Sequence, residues 1–176
     1  NGNNKVPNPQ YQNWQNYLFN LSREFEHTIF LGHSFGGALI LNNTQLIDNA
    51  KGLIILNSTP FGHNKAVYEE AKKHNLPDPS PAINEYRKAP SDLAYKKLMI
   101  QLVDYYFTSQ HKKAGIELLK SVNYDHRAFD WSLQSFWPEY KVKHIPSEPT
   151  LIVTSRKDYR TPQYLFLDDT RFQKFN

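Results

Sequence analysis

The sequence predicts an α/β protein in which helices flank a parallel sheet and a helical segment is inserted between two strands. Short apolar runs at 28–31, 53–56 and 150–154 predict the strands. A helix-length interval separates the first two runs, which predicts a right-handed crossover and parallel pairing. Residues 61–148 separate the second and third runs, and a connection of that length must be a folded unit.

The first predicted element is an amphipathic helix that begins near Pro9 and packs one stripe on the sheet, because apolar residues recur there at intervals of three and four. They are Tyr11, Trp14, Leu18, Leu21 and Phe25. The strand Thr28–Leu31 follows, then a helix through about Asn43 and the strand Leu53–Leu56.

The inserted segment is predicted to be helical. Apolar spacing predicts helices over 67–74, 95–106, 115–122 and 129–137, the last halted by Pro138. The proline-rich run Pro77–Pro81 predicts a rigid turn. The strand Thr150–Thr154 is continuously apolar, as expected where both faces of a parallel sheet are covered. We therefore expect a core formed by 1–60 and 149–176, and a helical cap over 61–148.

The composition limits the possible function classes. The 21 basic and 17 acidic residues give a charge of +4 with no run of more than two consecutive Lys or Arg, which argues against nucleic-acid binding. There is no cysteine and no apolar stretch near the length of a membrane span, so we expect a cytoplasmic protein that does not bind membranes. No histidine and carboxylate cluster has metal-ligand spacing on one element, so neither metal nor cofactor is expected. Oligomeric state stays open.

One motif indicates chemistry. Ser34 lies in the run Gly32-His33-Ser34-Phe35-Gly36 between an apolar strand and an apolar helix, which is typical of a nucleophile elbow. Gly32 and Gly36 stand where a side chain would collide as the backbone reverses. The alternative interpretation is a glycine-rich helix start with Ser34 as a capping residue.

The chain resembles the α/β-hydrolase family, in the subgroup with a helical cap between the sixth and seventh strands. The resemblance rests on Gly32–Gly37, Leu56–Pro60 and Leu151–Pro162, and covers Pro9 to the end of the chain. It implies that Ser34 is the nucleophile and Asp158 the acid that orients a catalytic histidine. It also implies that the Phe35 N–H is an oxyanion donor. Serine at position 34 argues against epoxide hydrolases and haloalkane dehalogenases, which use aspartate there.

The chain departs from the family pattern in two respects. No histidine follows Asp158, and the early strands with the loop that gives the second oxyanion donor are missing. We therefore expect a nearly inert fragment of a serine hydrolase that acts on a small ester, amide or related acyl substrate. The alternative is a non-catalytic binding protein that has the same fold and lacks the histidine.

For three further residues, the sequence allows more than one role. His33 is predicted to be a packing residue rather than a base, because neighbours of the serine on such a turn point away from it. Trp131 falls off the apolar stripe of its helix, so it faces either the cleft or solvent. Both are candidates for the substrate pocket. Asp158 has an alternative role as the cap of a helix that begins near Thr161.

Overall fold

A computed structural model describes residues 11–175 of the chain. Three parallel strands form one sheet in the order β1-β2-β3. They are β1 (Ile29–His33), β2 (Gly52–Leu56) and β3 (Thr150–Val153). The register places Ile54 of β2 between Leu31 and Leu151. The predicted strands and their parallel pairing are confirmed.

The first helix is shorter than its apolar spacing predicts. Helix α1 spans Trp14–Ser22, and its expected start near Pro9 lies outside the described residues. Leu21 and Phe25 are exposed rather than packed on the sheet. Phe25 lies beyond the end of the helix, so the helical spacing does not apply to it.

Two helices, not one, connect the first two strands. Helix α2 spans Phe35–Leu41 and helix α3 spans Thr44–Asp48. The helix predicted to run through Asn43 ends at Leu41, and the Asn43 side chain accepts a hydrogen bond from the Leu46 N–H at 3.2 Å. Asparagine favours this capping position, where it begins α3.

The inserted segment contains five α-helices, confirming its helical character. They are α4 (Asn64–Lys73), α5 (Ser80–Lys88), α6 (Asp92–Gln101), α7 (Lys112–Ser121) and α8 (His126–Trp131). Helix α5 was not predicted, because Pro81 lies in its first helical turn rather than in the expected rigid turn. A 3₁₀ turn at Val103–Tyr105 and a π turn at Ser132–Phe136 end two of the predicted helices.

After β3, the chain forms the short helix α9 (Tyr164–Leu167) and a 3₁₀ segment at Thr170–Phe175. Among the helices of residues 11–175, none has the length and apolar character needed to cross a membrane.

The main hydrophobic core lies on one face of the sheet. Leu53 and Ile55 of β2 are buried there against Leu41 of α2. Tyr140 and Val142, from the end of the inserted segment, belong to the same buried cluster. The inserted segment is thus packed into the core where it returns to β3, and the division into core and cap stays a prediction.

The opposite face of the sheet is uncovered in the described part of the chain. Ile29 and Leu31 of β1 are 61% and 60% exposed, and Leu151 and Val153 of β3 are 56% and 41% exposed. The register places these side chains on the same face as Ile54. The expectation that apolar strands imply cover on both faces is therefore wrong for residues 11–175.

Candidate functional site

Ser34 forms the turn between β1 and α2 in a backbone conformation that side-chain-bearing residues rarely adopt. Its φ is 52° and its ψ is −118°, a region that costs a non-glycine residue about 1–3 kcal/mol. The Ser34 N–H donates to the Leu56 carbonyl at 2.9 Å, and the Ser34 carbonyl accepts from Ala38 N–H at 3.3 Å. Its side chain makes no capping hydrogen bond within the described residues. Ser34 therefore stands at the N-cap position of α2 without the side-chain hydrogen bond that a capping serine makes.

Close packing in this turn involves Gly32 and Gly37. A Cβ added to Gly32 would lie 2.7 Å from the Gly36 backbone, and one added to Gly37 would lie 2.7 Å from the Cβ of Ser58. A Cβ added to Gly36 meets no atom within 4 Å. The expected collision at Gly36 is therefore wrong, because Gly37 is the residue that faces the segment after β2.

The carboxyl ends of the three strands bring the candidate residues to one edge of the sheet. Ser34 follows β1, Ser58 follows β2 by two residues, and Asp158 lies in the loop after β3. The Ser58 hydroxyl donates to the Ser34 carbonyl at 2.8 Å, and the Ser155 hydroxyl donates to Asn57 Oδ1 at 3.1 Å. Two strand spacings separate β1 from β3 by about 10 Å. Open parallel sheets bind ligands at this edge.

Asp158 holds its own loop together. Its Oδ1 accepts the backbone N–H groups of Arg160 at 2.9 Å and Thr161 at 2.8 Å, and its Oδ2 accepts the Thr161 hydroxyl at 2.6 Å. These contacts match the alternative capping role, although α9 begins three residues beyond Thr161. An ionised carboxylate has about four lone-pair sites, so one acceptor position remains for an external donor.

The residue that follows Ser34 belongs to a cluster of aromatic side chains. We define it as Phe35, Trp131, Phe136, Trp137 and Tyr140. The Phe35 ring lies 5.0 Å from that of Phe136, 5.4 Å from Trp137 and 6.3 Å from Trp131. Phe35 is the first residue of α2, so its N–H has no partner within the helix. The cluster therefore fixes the position of the expected oxyanion donor.

His63 is buried at the end of this cluster. Its ring packs edge-on against Trp137 at 5.6 Å, and neither ring nitrogen has a hydrogen-bond partner among the described residues. Burial, together with the positive charge of Arg160, lowers the pKa of His63 to about 4. Backbone groups of Arg160 and Phe61 near the ring raise the pKa and so offset part of this lowering. Neither group has the geometry of a hydrogen bond to the ring. His63 is thus neutral at pH 7.

Solved structures resemble the chain over most of its length. One is an alpha/beta fold family hydrolase from Bacillus anthracis str. Sterne, with a TM-score of 0.65 and 14% identity, matching 95% of this chain. Another is a proline iminopeptidase-related protein from Thermus thermophilus, with a TM-score of 0.57 and 18% identity, matching 90% of this chain. The chain has an α/β-hydrolase fold.

The chain spans 64% of the length of the first of these proteins and 57% of the second. No protein-family model and no curated protein matches its sequence. The structural likeness therefore confirms the fold that the sequence motifs imply. The sequence identity is too low to indicate a substrate.

Within the α/β-hydrolase fold, the two candidate pocket residues lie in different environments. His33 ends β1, paired in register with Leu56, and is exposed. The prediction that it packs is therefore wrong, because nothing in the described chain covers this face of the sheet. Trp131 is half-buried and stacks on Tyr11 at 5.7 Å. It belongs to the aromatic cluster beside Phe35, and its place in a pocket stays a prediction.

The described residues include one group that could hold a cation. Ligand atoms of Asp92, Asp125 and His126 lie within 4.8 Å of one another. The Asp125 carboxylate accepts from Tyr11 at 2.8 Å and caps α8, while Asp92 accepts from the His126 ring at 2.7 Å. These contacts explain the group as the junction between α6 and α8, distant in sequence from Ser34.

Three residues that shape the site are not among the candidates predicted from the sequence. Ser58 holds the Ser34 carbonyl, His63 lies unpaired beside Trp137, and Arg160 contributes to the shifted pKa of that histidine. Ser58 could have been found from its position just after β2. Nothing in the sequence places Arg160 near His63, since 97 positions separate them in the chain.

Proposed function

We propose that the protein is a serine hydrolase that cleaves a small ester, amide or related acyl substrate through an acyl-enzyme on Ser34. The observation that carries the proposal is the backbone of Ser34, strained at φ 52° between a strand and a helix with its hydroxyl free of capping bonds. Such a turn presents the nucleophile at the carboxyl edge of an α/β-hydrolase sheet.

In the proposed reaction, the Ser34 hydroxyl oxygen attacks the acyl carbon while a histidine takes the hydroxyl proton. The Phe35 N–H donates to the developing oxyanion, and Asp158 orients the histidine and stabilises its charged form. The histidine then gives its proton to the leaving group, and water hydrolyses the acyl-enzyme. In the family that the chain resembles, this histidine follows the acid along the sequence.

Covalent labelling of the full product of the gene by a fluorophosphonate tests the proposal. We expect one label on the peptide that contains Ser34, lost in Ser34→Ala and kept in Ser155→Ala. Ser155 is an exposed serine after β3 and is the matched control. Hydrolysis of an acyl ester should fall by about 10⁶ in the Ser34→Ala variant. A label or activity that persists in Ser34→Ala contradicts the proposal.

A non-catalytic binding protein is the second candidate. One observation favours it: the Asp158 carboxylate already accepts three hydrogen bonds from its own loop. A fold does not by itself guarantee its usual chemistry. A folded full-length product in which Ser34 does not react with the fluorophosphonate would favour this candidate.

A further inference from the structure

A cavity of about 150 Å³ lies within the inserted helices and is separate from Ser34. Its wall is formed by α4, α5, α6, α8 and the 3₁₀ turn Val103–Tyr105, and closes on the loop after β3. Most of the lining is apolar, including Val67, Leu98 and Phe129. Apolar cavities of this size bind a ligand as large as benzene. The cavity therefore accepts one aromatic ring or a short hydrocarbon chain.

Most polar groups on the cavity wall already have partners. The Tyr86 hydroxyl donates to Asp130 at 2.7 Å, and the Tyr105 hydroxyl donates to the Pro77 carbonyl at 2.6 Å. The Tyr106 hydroxyl lies 3.9 Å from the Met99 sulfur, which is a weak acceptor, and it also interacts with the Arg160 side chain.

Arg160 is the cation that faces these rings. Burial raises the pKa of Tyr106, and the Arg160 guanidinium offsets part of that rise. Burial likewise raises the pKa of Tyr105 and of Tyr95, and the same positive charge opposes both rises. Arg160 lines the cavity together with Tyr105 and Tyr106 and is half-buried, in agreement with the action of its charge on these phenols.

This guanidinium lacks an anionic partner in the described part of the chain. The nearby carboxylate of Asp158 binds backbone and hydroxyl groups of its own loop, and the Arg160 contact to it is through the backbone N–H. A half-buried guanidinium offers a planar fork that matches a carboxylate in bidentate geometry. The other cation on the wall, Arg87, is exposed at the rim on α5.

We propose that this cavity binds a small apolar carboxylic acid, with its ring or chain among the inserted helices and its carboxylate on Arg160. A neutral apolar ligand would leave the guanidinium unpaired, and a larger anion would exceed the volume. The proposal goes beyond acyl transfer, because it concerns binding and holds whether or not Ser34 reacts.

Phenylacetate is a suitable probe, with phenylacetamide as the neutral analogue of the same shape. Titration calorimetry of the 176-residue chain at pH 7 should give binding of the acid at least about tenfold tighter than that of the amide, as expected for a hydrogen bond to a charged group. The Ser34→Ala variant should bind the acid as the parent does, which separates this proposal from the nucleophile assignment.

Arg160→Gln should weaken phenylacetate binding by about tenfold or more and leave phenylacetamide unchanged. Arg156→Gln, which removes an exposed arginine from the same loop, is the matched control and should bind as the parent does. Equal binding of acid and amide by the parent chain overturns the proposal without the need for any variant. Loss of acid binding in Arg87→Gln but not in Arg160→Gln overturns the assignment to Arg160.

Discussion

At the scale of single residues, two residues near the elbow have a backbone conformation or a side-chain environment that costs free energy. Ser34 keeps a positive φ although it is not glycine. His63 is buried without a hydrogen-bond partner among the described residues, and a buried unpaired polar group costs roughly 1–3 kcal/mol. Residues under such cost cluster at functional sites, which agrees with their positions on either side of the aromatic cluster.

The pKa of His63 predicts an acid sensitivity of folding. Its folded-state pKa is about 4, whereas an unfolded histidine titrates near 6.5. Between these values the unfolded chain binds the proton and the folded chain does not, so stability falls as pH drops from about 6.5 to 4. The free energy of unfolding should fall by on the order of 3 kcal/mol in total, at about 1.4 kcal/mol per pKa unit of difference between the folded and unfolded states.

Urea unfolding measured between pH 7.5 and pH 4.5 checks this prediction. The free energy of unfolding of the parent should decrease through the window, and His63→Phe should flatten that decrease because its ring is not titratable. His27→Gln, which removes an exposed histidine, is the control. Parallel pH profiles for the parent and His63→Phe would refute the assignment.

At the scale of elements, the turn from β1 into α2 depends on one close approach between helix and strand end. Gly37, in the first turn of α2, contacts Ser58 so closely that a Cβ would lie 2.7 Å from Ser58 Cβ. The Ser58 hydroxyl in turn holds the Ser34 carbonyl at 2.8 Å. Any shift of α2 away from β2 would therefore also move the backbone of Ser34.

Two adjacent glycine substitutions separate this packing effect from helix propensity. Gly37→Ala should lower the free energy of unfolding by about 1–3 kcal/mol, as overpacking does in tight interiors. Gly36→Ala should raise it by up to about 1 kcal/mol, because alanine is the better helix residue and the site is open. Urea unfolding of both variants at pH 7.5 is the measurement. Equal effects of the two substitutions would contradict the packing argument.

An element could be predicted from the sequence where a pattern within its own residues indicates its structure. Strand β2 is a continuous apolar run, and its position was predicted from that run. Helix α5 was missed because a proline-rich run usually indicates a turn. Pro81 lies in the first turn of that helix, where its missing N–H costs nothing.

The candidate site divides in the same way. The turn at Ser34 was predictable because its requirements fall within the six consecutive residues Gly32–Gly37. The contact of His63 with Trp137 and the approach of Arg160 to the tyrosine rings of the inserted segment depend on how that segment folds back. No spacing in the sequence encodes those contacts.

At the scale of the whole molecule, the sheet is packed on one face and open on the other within residues 11–175. The open face carries Ile29 and Leu31 on β1 and Leu151 and Val153 on β3, on either side of Ile54. Contiguous apolar patches are uncommon on monomeric proteins and promote association. Strand edges beside such a patch add unpaired backbone groups that favour the same outcome.

We expect this open face to bind the dye ANS and to cause self-association of the 176-residue chain. The double variant Leu31→Lys with Leu151→Glu should reduce ANS fluorescence by about half or more and shift size-exclusion elution toward the monomer, because charged side chains replace apolar surface. Its free energy of unfolding should change by no more than about 0.5 kcal/mol, as for other surface substitutions. Leu93→Lys is the matched control, since Leu93 is 76% exposed on α6, away from the sheet. If the control and the double variant reduce dye binding equally, the open face is not the binding surface.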